Sequence, residues 1–145
     1  MWNQWRDENP SCVPDLVGVD LTSVDLTGAN LANAFLSWSN LENRDLSSTN
    51  LIGAMLMGTN LRLAKLEGAN LAYANLATAS LRGANLTGDN LQGANLAWTD
   101  LAWSNLTGAN LTNTNLTDAN LTHATLSGTD EAQHFESEPL VLLTV

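Results

Sequence analysis

Leucine stands at every fifth position from Leu16 to Leu126 without interruption, twenty-three in succession. Two places before each leucine lies Ala, Ser, Thr, Val or Pro in all but two cases, and immediately before it lies Asn or Asp in eighteen. The two residues that follow are mixed, mostly small or polar, and often end in Gly. A helix needs an apolar period of 3.6 and a strand a period of 2; five fits neither. It suits a chain that turns a corner every five residues, with the leucine and the small residue pointing inward. Four such sides close a square coil of twenty residues, and coils stack at the spacing of paired strands, about 4.8 Å. The pattern therefore predicts an all-β solenoid over 14–130, with the Asn and Asp residues at tight turns. Its 23 sides make about six coils, a rod of about 27 Å.

The flanks depart from the ladder. Residues 2–9 read as a short helix closed by Pro10, with Trp2 and Trp5 three apart on one face. A solenoid's first coil exposes an open apolar end, so 1–13 are expected to cap it, with the two tryptophans as the covering residues. Residues 131–145 lose the repeat and end in the apolar run Leu140–Leu143. This segment is expected to act as a C-terminal cap or tail, to pair as an edge strand, or to join a second copy.

Composition adds constraints. The chain carries a net charge of −10, but only about half of it lies on the repeat body, where Arg44, Arg62, Lys65 and Arg82 are interspersed with acids. Asp130, Glu131, Glu136 and Glu138 concentrate acid at one end. The lone Cys12 has no disulfide partner, and His123 and His134 lie apart from any thiol, so no metal is expected. There is no apolar run near the 20 or so residues that span a bilayer and no secretory leader, which predicts a cytoplasmic protein without a membrane partner. Ser, Asp and His are scattered by the repeat rather than gathered into a catalytic set, and no phosphate-binding glycine loop is present. The reading is of a non-enzyme without a cofactor.

The triplets Ala29-Asn30-Leu31, Ala69-Asn70-Leu71 and Ala109-Asn110-Leu111 carry a resemblance to the pentapeptide-repeat family, whose pattern is Ala-(Asp/Asn)-Leu-X-X. The resemblance covers about 14–130 and implies a right-handed quadrilateral β-helix. The leader Trp2-Asn3-Gln4-Trp5-Arg6 looks like the short cap of many bacterial, especially cyanobacterial, members. The family also implies two function classes. Many members are non-enzymatic modules without an assigned role, and some mimic acidic duplex DNA, bind DNA gyrase and protect it.

Function is sought where the pattern breaks, because residues twenty apart lie above one another. Phe35 and Met55 replace Asn/Asp on one side in adjacent coils. Val17 and Met57 occupy an outward position of that side, Trp38 the other, and Ile52 lies one side back. Together they predict an exposed apolar stripe that binds a protein partner or a second copy, since aromatic residues and Met are enriched at interfaces. Trp98, Trp103 and Tyr73 are secondary candidates. Arg44 and Asp89 put charge at inward positions, where each is expected to bulge its side, to reach solvent, or to accept backbone hydrogen bonds. About half of the net negative charge lies off the rod and bases interrupt the rest, so DNA mimicry is the alternative to a protein-binding scaffold, and no nucleic-acid partner is expected.

Overall fold

The computed structural model describes residues 1–130. Helix α1 spans Trp2–Glu8, and from Asp15 onward the chain winds so that residues twenty apart pair in parallel. Side 1 pairs Asp15, Phe35, Met55, Asn75, Asn95 and Asn115 in succession; side 2 runs from Asp20 through Asn40 to Asn120. Side 3 pairs Asp45, Lys65, Asn85, Asn105 and Thr125, and side 4 runs from Asn30 to Asp130. The expected cap or tail at 131–145 lies outside the described residues.

Each side pairs through one residue, and three bonds secure it. The N–H of Leu16 donates to the carbonyl of Phe35 at 2.7 Å, the N–H of Phe35 donates back to Pro14 at 2.8 Å, and Gly18 donates to Ser37 at 2.9 Å. The corner is a four-residue turn in which Val19 N–H donates to Leu16 at 3.2 Å. Its third residue has positive φ at every corner from 18 to 128 except Ser23, as a type II turn demands. Twelve of these residues are not glycine. Left-handed backbone disfavours them by roughly 1–2 kcal/mol each, so the stacking bonds and the buried leucines must hold them there.

The Asn/Asp preference has two causes. The side-chain Oδ1 accepts the N–H two residues on, as Asp20 does from Thr22 at 3.0 Å. Asparagine also passes its amide to the next coil: Asn60 donates to Asn40, and Asn115 to Asn95, both at 3.0 Å. A carboxylate can only accept, so Asn serves the interior of a column better than Asp. Inside, every ladder leucine from Leu31 to Leu106 is buried, whereas Leu16, Leu116, Leu121 and Leu126 at the two ends are only partly covered. Inward threonines are also satisfied: Thr59 Oγ1 donates to Leu36 at 2.8 Å and Thr114 to Leu91 at 2.8 Å, each carbonyl lying in the coil before.

Candidate protein-interaction surface

Sorting the charged residues by side divides the rod. Glu42, Asp45, Arg62, Lys65, Glu67, Arg82 and Asp100 all fall on sides 2 and 3. Between Asn30 and Asn115, sides 4 and 1 carry no charged residue other than Asp89, which is 1% exposed. The cations on side 2 face acids at long range, Arg62 to Glu42 at 3.8 Å and Arg82 to Asp100 at 3.9 Å. Both pairs are solvated and contribute little to stability.

The apolar residues concentrate on the uncharged pair. Phe35 and Met55 pair directly on side 1, both with exposed side chains. Val17 and Met57 are exposed one position beyond the ladder residue of the same side, and Ile52 is exposed on side 4. Trp38, Tyr73 and Trp98 stand at corners bordering these sides, each 64% exposed. Trp103 belongs elsewhere, at the corner between sides 2 and 3. There it stacks on His123 with ring centroids 4.1 Å apart, and Leu63 lies exposed two coils below in the same column. Leu63 escaped the sequence reading because leucine at this repeat hides among the ladder leucines, although its position two after Leu61 marks it as a corner.

The corner side chains lean along the rod onto the next coil. The Trp38 ring lies over Gly58, where a Cβ would collide with the indole, and Leu63 and Tyr73 lie over Gly83 and Gly93 in the same manner. Gly58 therefore meets two demands at once, positive φ and room for the ring. This packing fixes the Trp38 indole as a flat exposed plate, so little side-chain entropy remains to be lost on binding.

The two inward charges are handled differently. Arg44 is half-buried, its Nε has no partner, and the pairing of Asp25 with Asp45 is lost beside it. Val24, directly beneath Arg44 in the register, is 40% exposed, much as Val19 is at 39% on the neighbouring open side, and Ser23 is the corner without positive φ. Asp89 instead stays inside, its Oδ1 accepting the Ala69 N–H at 3.1 Å while Oδ2 has no partner. Burial pushes its pKa up to about 8, against the lowering effect of the Ala69 and Gly68 N–H groups. The carboxyl is accordingly protonated at neutral pH.

At the N-terminus, Trp2 and Trp5 stack on one another at 5.5 Å and both remain exposed. Trp2 Nε1 donates to the Asn30 carbonyl at 3.0 Å, and Asn3 accepts the Asn30 N–H at 2.8 Å. Arg6, the buried residue of the helix, donates to Ala32 at 3.1 Å and to Cys12. Sequence reasoning singled out the tryptophans and passed over Asn3 and Arg6, whose contribution is polar.

The profile of pentapeptide repeats matches in eight copies, over 14–43, 39–62, 59–96 and 94–130. The chain belongs to the pentapeptide repeat family. Among solved structures it is similar to the pentapeptide repeat protein Rfr23 from the cyanobacterium Cyanothece 51142, with 30% identity and a TM-score of 0.68, covering 89% of this chain and 94% of that one. QnrB1, a plasmid-mediated fluoroquinolone resistance protein, shares the fold at 20% identity and a TM-score of 0.56, over 81% of this chain and 70% of that one. No curated protein sequence matches. These neighbours are pentapeptide repeat proteins, whose fold is the right-handed quadrilateral β-helix. Among the described residues of this pentapeptide repeat protein, no group of His, Cys, Asp and Glu is arranged to hold a metal ion. No described helix is long and apolar enough to cross a membrane.

Proposed function

We propose that this pentapeptide repeat protein is a non-enzymatic cytoplasmic scaffold that binds a protein partner, or a second copy, through sides 4 and 1, centred on Val17, Phe35, Trp38, Ile52, Met55 and Met57. Tyr73 and Trp98 extend the surface along the same two sides. The observation that carries the reading is the coincidence of two distributions: from Asn30 to Asn115 exposed apolar side chains gather on the two sides that lack exposed charge, and Asp15, next to Val17, lies just before that stretch. Apolar surface without charge is cheap to dehydrate, and the backbone beneath is already ordered, so two of the costs that offset apolar burial on binding are reduced.

The alternative, a DNA-mimicking protector of DNA gyrase, draws on the shared fold with a fluoroquinolone resistance protein. It is supported less well by this surface. The acids of sides 2 and 3 alternate with Arg62, Lys65 and Arg82, so no side presents an unbroken anionic track between Asp45 and Asp100.

The test is the solution mass of the native chain beside a Phe35→Ser, Trp38→Ser, Met55→Ser variant, which should fold because all three side chains are exposed. A native dimer and a monomeric variant identify a self-association surface. If both are monomers, a photo-crosslinking residue at position 38 should give a discrete protein adduct in the native cell that one at position 82 does not. Equal adducts from both positions, or none from either, sink the reading, as does failure of the triple variant to fold.

A further inference from the structure

The N-terminal end of the rod is closed on one side and open on three. On side 4, helix α1 reproduces the bonds that a preceding coil would make. In later coils Asn50 N–H donates to Ala29, Leu31 N–H donates to Asn50, and Asn33 N–H donates to Ile52. At the end of the rod the corresponding groups of Asn30 and Ala32 are met by Asn3 Oδ1, Trp2 Nε1 and Arg6 Nη2. Asn3 also donates to Gly28 at 2.9 Å. On sides 1 to 3 the equivalent N–H and C=O groups of Asp15, Asp20 and Asp25 have no partner among the described residues, nor do the carbonyls of Val17, Thr22 and Thr27. Val19 and Val24 occupy the repeat position that is buried from Ala29 to Thr114 except at Arg44, yet they are 39% and 40% exposed.

The open edge is also mainly acidic. From Asp7 to Asn43 the chain has six acids, Asp7, Glu8, Asp15, Asp20, Asp25 and Glu42, and neither Lys nor Arg; of the flanking cations, Arg6 is bonded to Ala32 and Cys12, and Arg44 is half-buried in the coil above Val24. Asp15, Asp20 and Asp25 each use Oδ1 to accept the N–H two residues on, at 3.2, 3.0 and 3.1 Å. The second carboxylate oxygen of each is left for a cation. A second copy is a poor occupant, because no Lys or Arg follows Arg82 and both ends of the rod are acidic. Stacking end on end would bring like charges together.

We propose that this edge is a β-augmentation site for an extended segment of another protein in which apolar residues alternate with Lys or Arg. The segment pairs with the free ladder groups of one open side, lays its apolar residues over Val19 or Val24, and presents its cations to the aspartates. This mode draws affinity from backbone bonds and specificity from alternate side chains. The site adjoins the surface on sides 4 and 1 at Val17, but it uses the open edge of sides 1 to 3 rather than Phe35 and Met55.

The probe is the synthetic peptide acetyl-Lys-Val-Lys-Val-Lys-Val-amide, titrated into the isotopically labelled full chain and followed by amide NMR. Shift changes and slowed hydrogen exchange should centre on residues 13–27. The variant Asp15→Asn, Asp20→Asn, Asp25→Asn keeps its turns, since Asn makes the same bond at residues 40 and 60, and should bind at least about tenfold more weakly with less dependence on salt. Methylating alternate backbone nitrogens of the peptide preserves charge and side chains but blocks pairing, and should abolish binding. Undiminished binding of the methylated peptide would overturn the proposal. So would equal binding of hexalysine, shifts centred on Phe35 and Met55, or no binding at all.

Discussion

Arg44 and Asp89 occupy the same inward position on neighbouring sides of the coil, yet one opens the ladder and the other leaves it intact. The difference lies in what each side chain can give up. Guanidinium keeps its charge at any accessible pH, so the chain yields: Asp25 and Asp45 fail to pair, and the Ser23 corner beneath lacks positive φ. The stacked carboxylates of Asp25 and Asp45 add repulsion at that point, where asparagines would have formed a ladder. A carboxyl can shed its charge and is short enough to remain within the coil. Asp89 therefore pays with its ionisation, while the pairing of its neighbour Asn90 with Asn70 and Asn110 is retained.

The largest effect should come from testing the protonated state of Asp89. Its pKa is raised from 3.8 to about 8, so between those values the folded chain holds a proton that the unfolded chain has lost. Stability is then greatest toward the acid end of that window, falls as pH rises through it by up to about 1.4 kcal/mol per unit, and levels off above pH 8. Asp20 and Asp45 act in the opposite sense, since hydrogen bonds from Thr22 and Ser47 lower their pKa values and their contribution is lost in stronger acid. Denaturant unfolding at pH 5 and pH 8.5 should show the decline in the native chain. Asp89→Thr should flatten it and stabilise the fold at pH 8.5 by a few kcal/mol, its hydroxyl reaching a carbonyl of the coil before as those of Thr59 and Thr99 do. An unchanged pH profile in Asp89→Thr would show that the carboxyl is ionised in place.

Arg44→Ala comes next in size. With alanine, the residue found at positions 64 and 84 of the same column, the Asp25–Asp45 bridge should close and the Ser23 corner should take up positive φ. A gain of about 1–2 kcal/mol and new protection of the Asp45 amide against exchange are expected. Loss of stability would mean that Arg44 holds the first coil in place through its aliphatic stem. The smallest effect belongs to Ser23→Gly. It should be nearly neutral in the native chain, where this corner lacks positive φ, and should add roughly 0.5–1 kcal/mol once Arg44→Ala restores the regular turn. Additivity of the two substitutions in a double-mutant cycle would separate the corner from the arginine.

Much of this was legible before the structure. A strict period of five, closing at twenty, predicts that Phe35 lies against Met55 and that His123 lies over Trp103, and both contacts follow from counting alone. The exclusion of exposed charge from sides 4 and 1 between Asn30 and Asn115 was present in the same count but emerges only when the charged residues, rather than the apolar ones, are sorted by side. The polar closure of side 4 was not legible. Whether Asn3 and Arg6 reach Asn30 and Ala32 depends on where a seven-residue helix settles, and no period extends across Pro10 to place it. Nor could the register say which of the two inward charges would yield its proton and which would displace the backbone. That depends on side-chain length and on whether the charge can be removed.

The corners carry a memory from one coil to the next. Trp38, Leu63 and Tyr73 each rest on a glycine twenty residues later, so each of these three corners restricts what its successor can be. A solenoid is easily lengthened by copying a coil, yet repeating the Trp38, Leu63 or Tyr73 coil directly would set a side chain where the glycine now leaves room, unless the two could stack as Trp103 and His123 do. At these three columns the unit of growth is thus larger than the period: Trp38, Leu63 and Tyr73 must each travel with the glycine that makes room for it, whereas Trp98 and Trp103 are followed by Asp118 and His123.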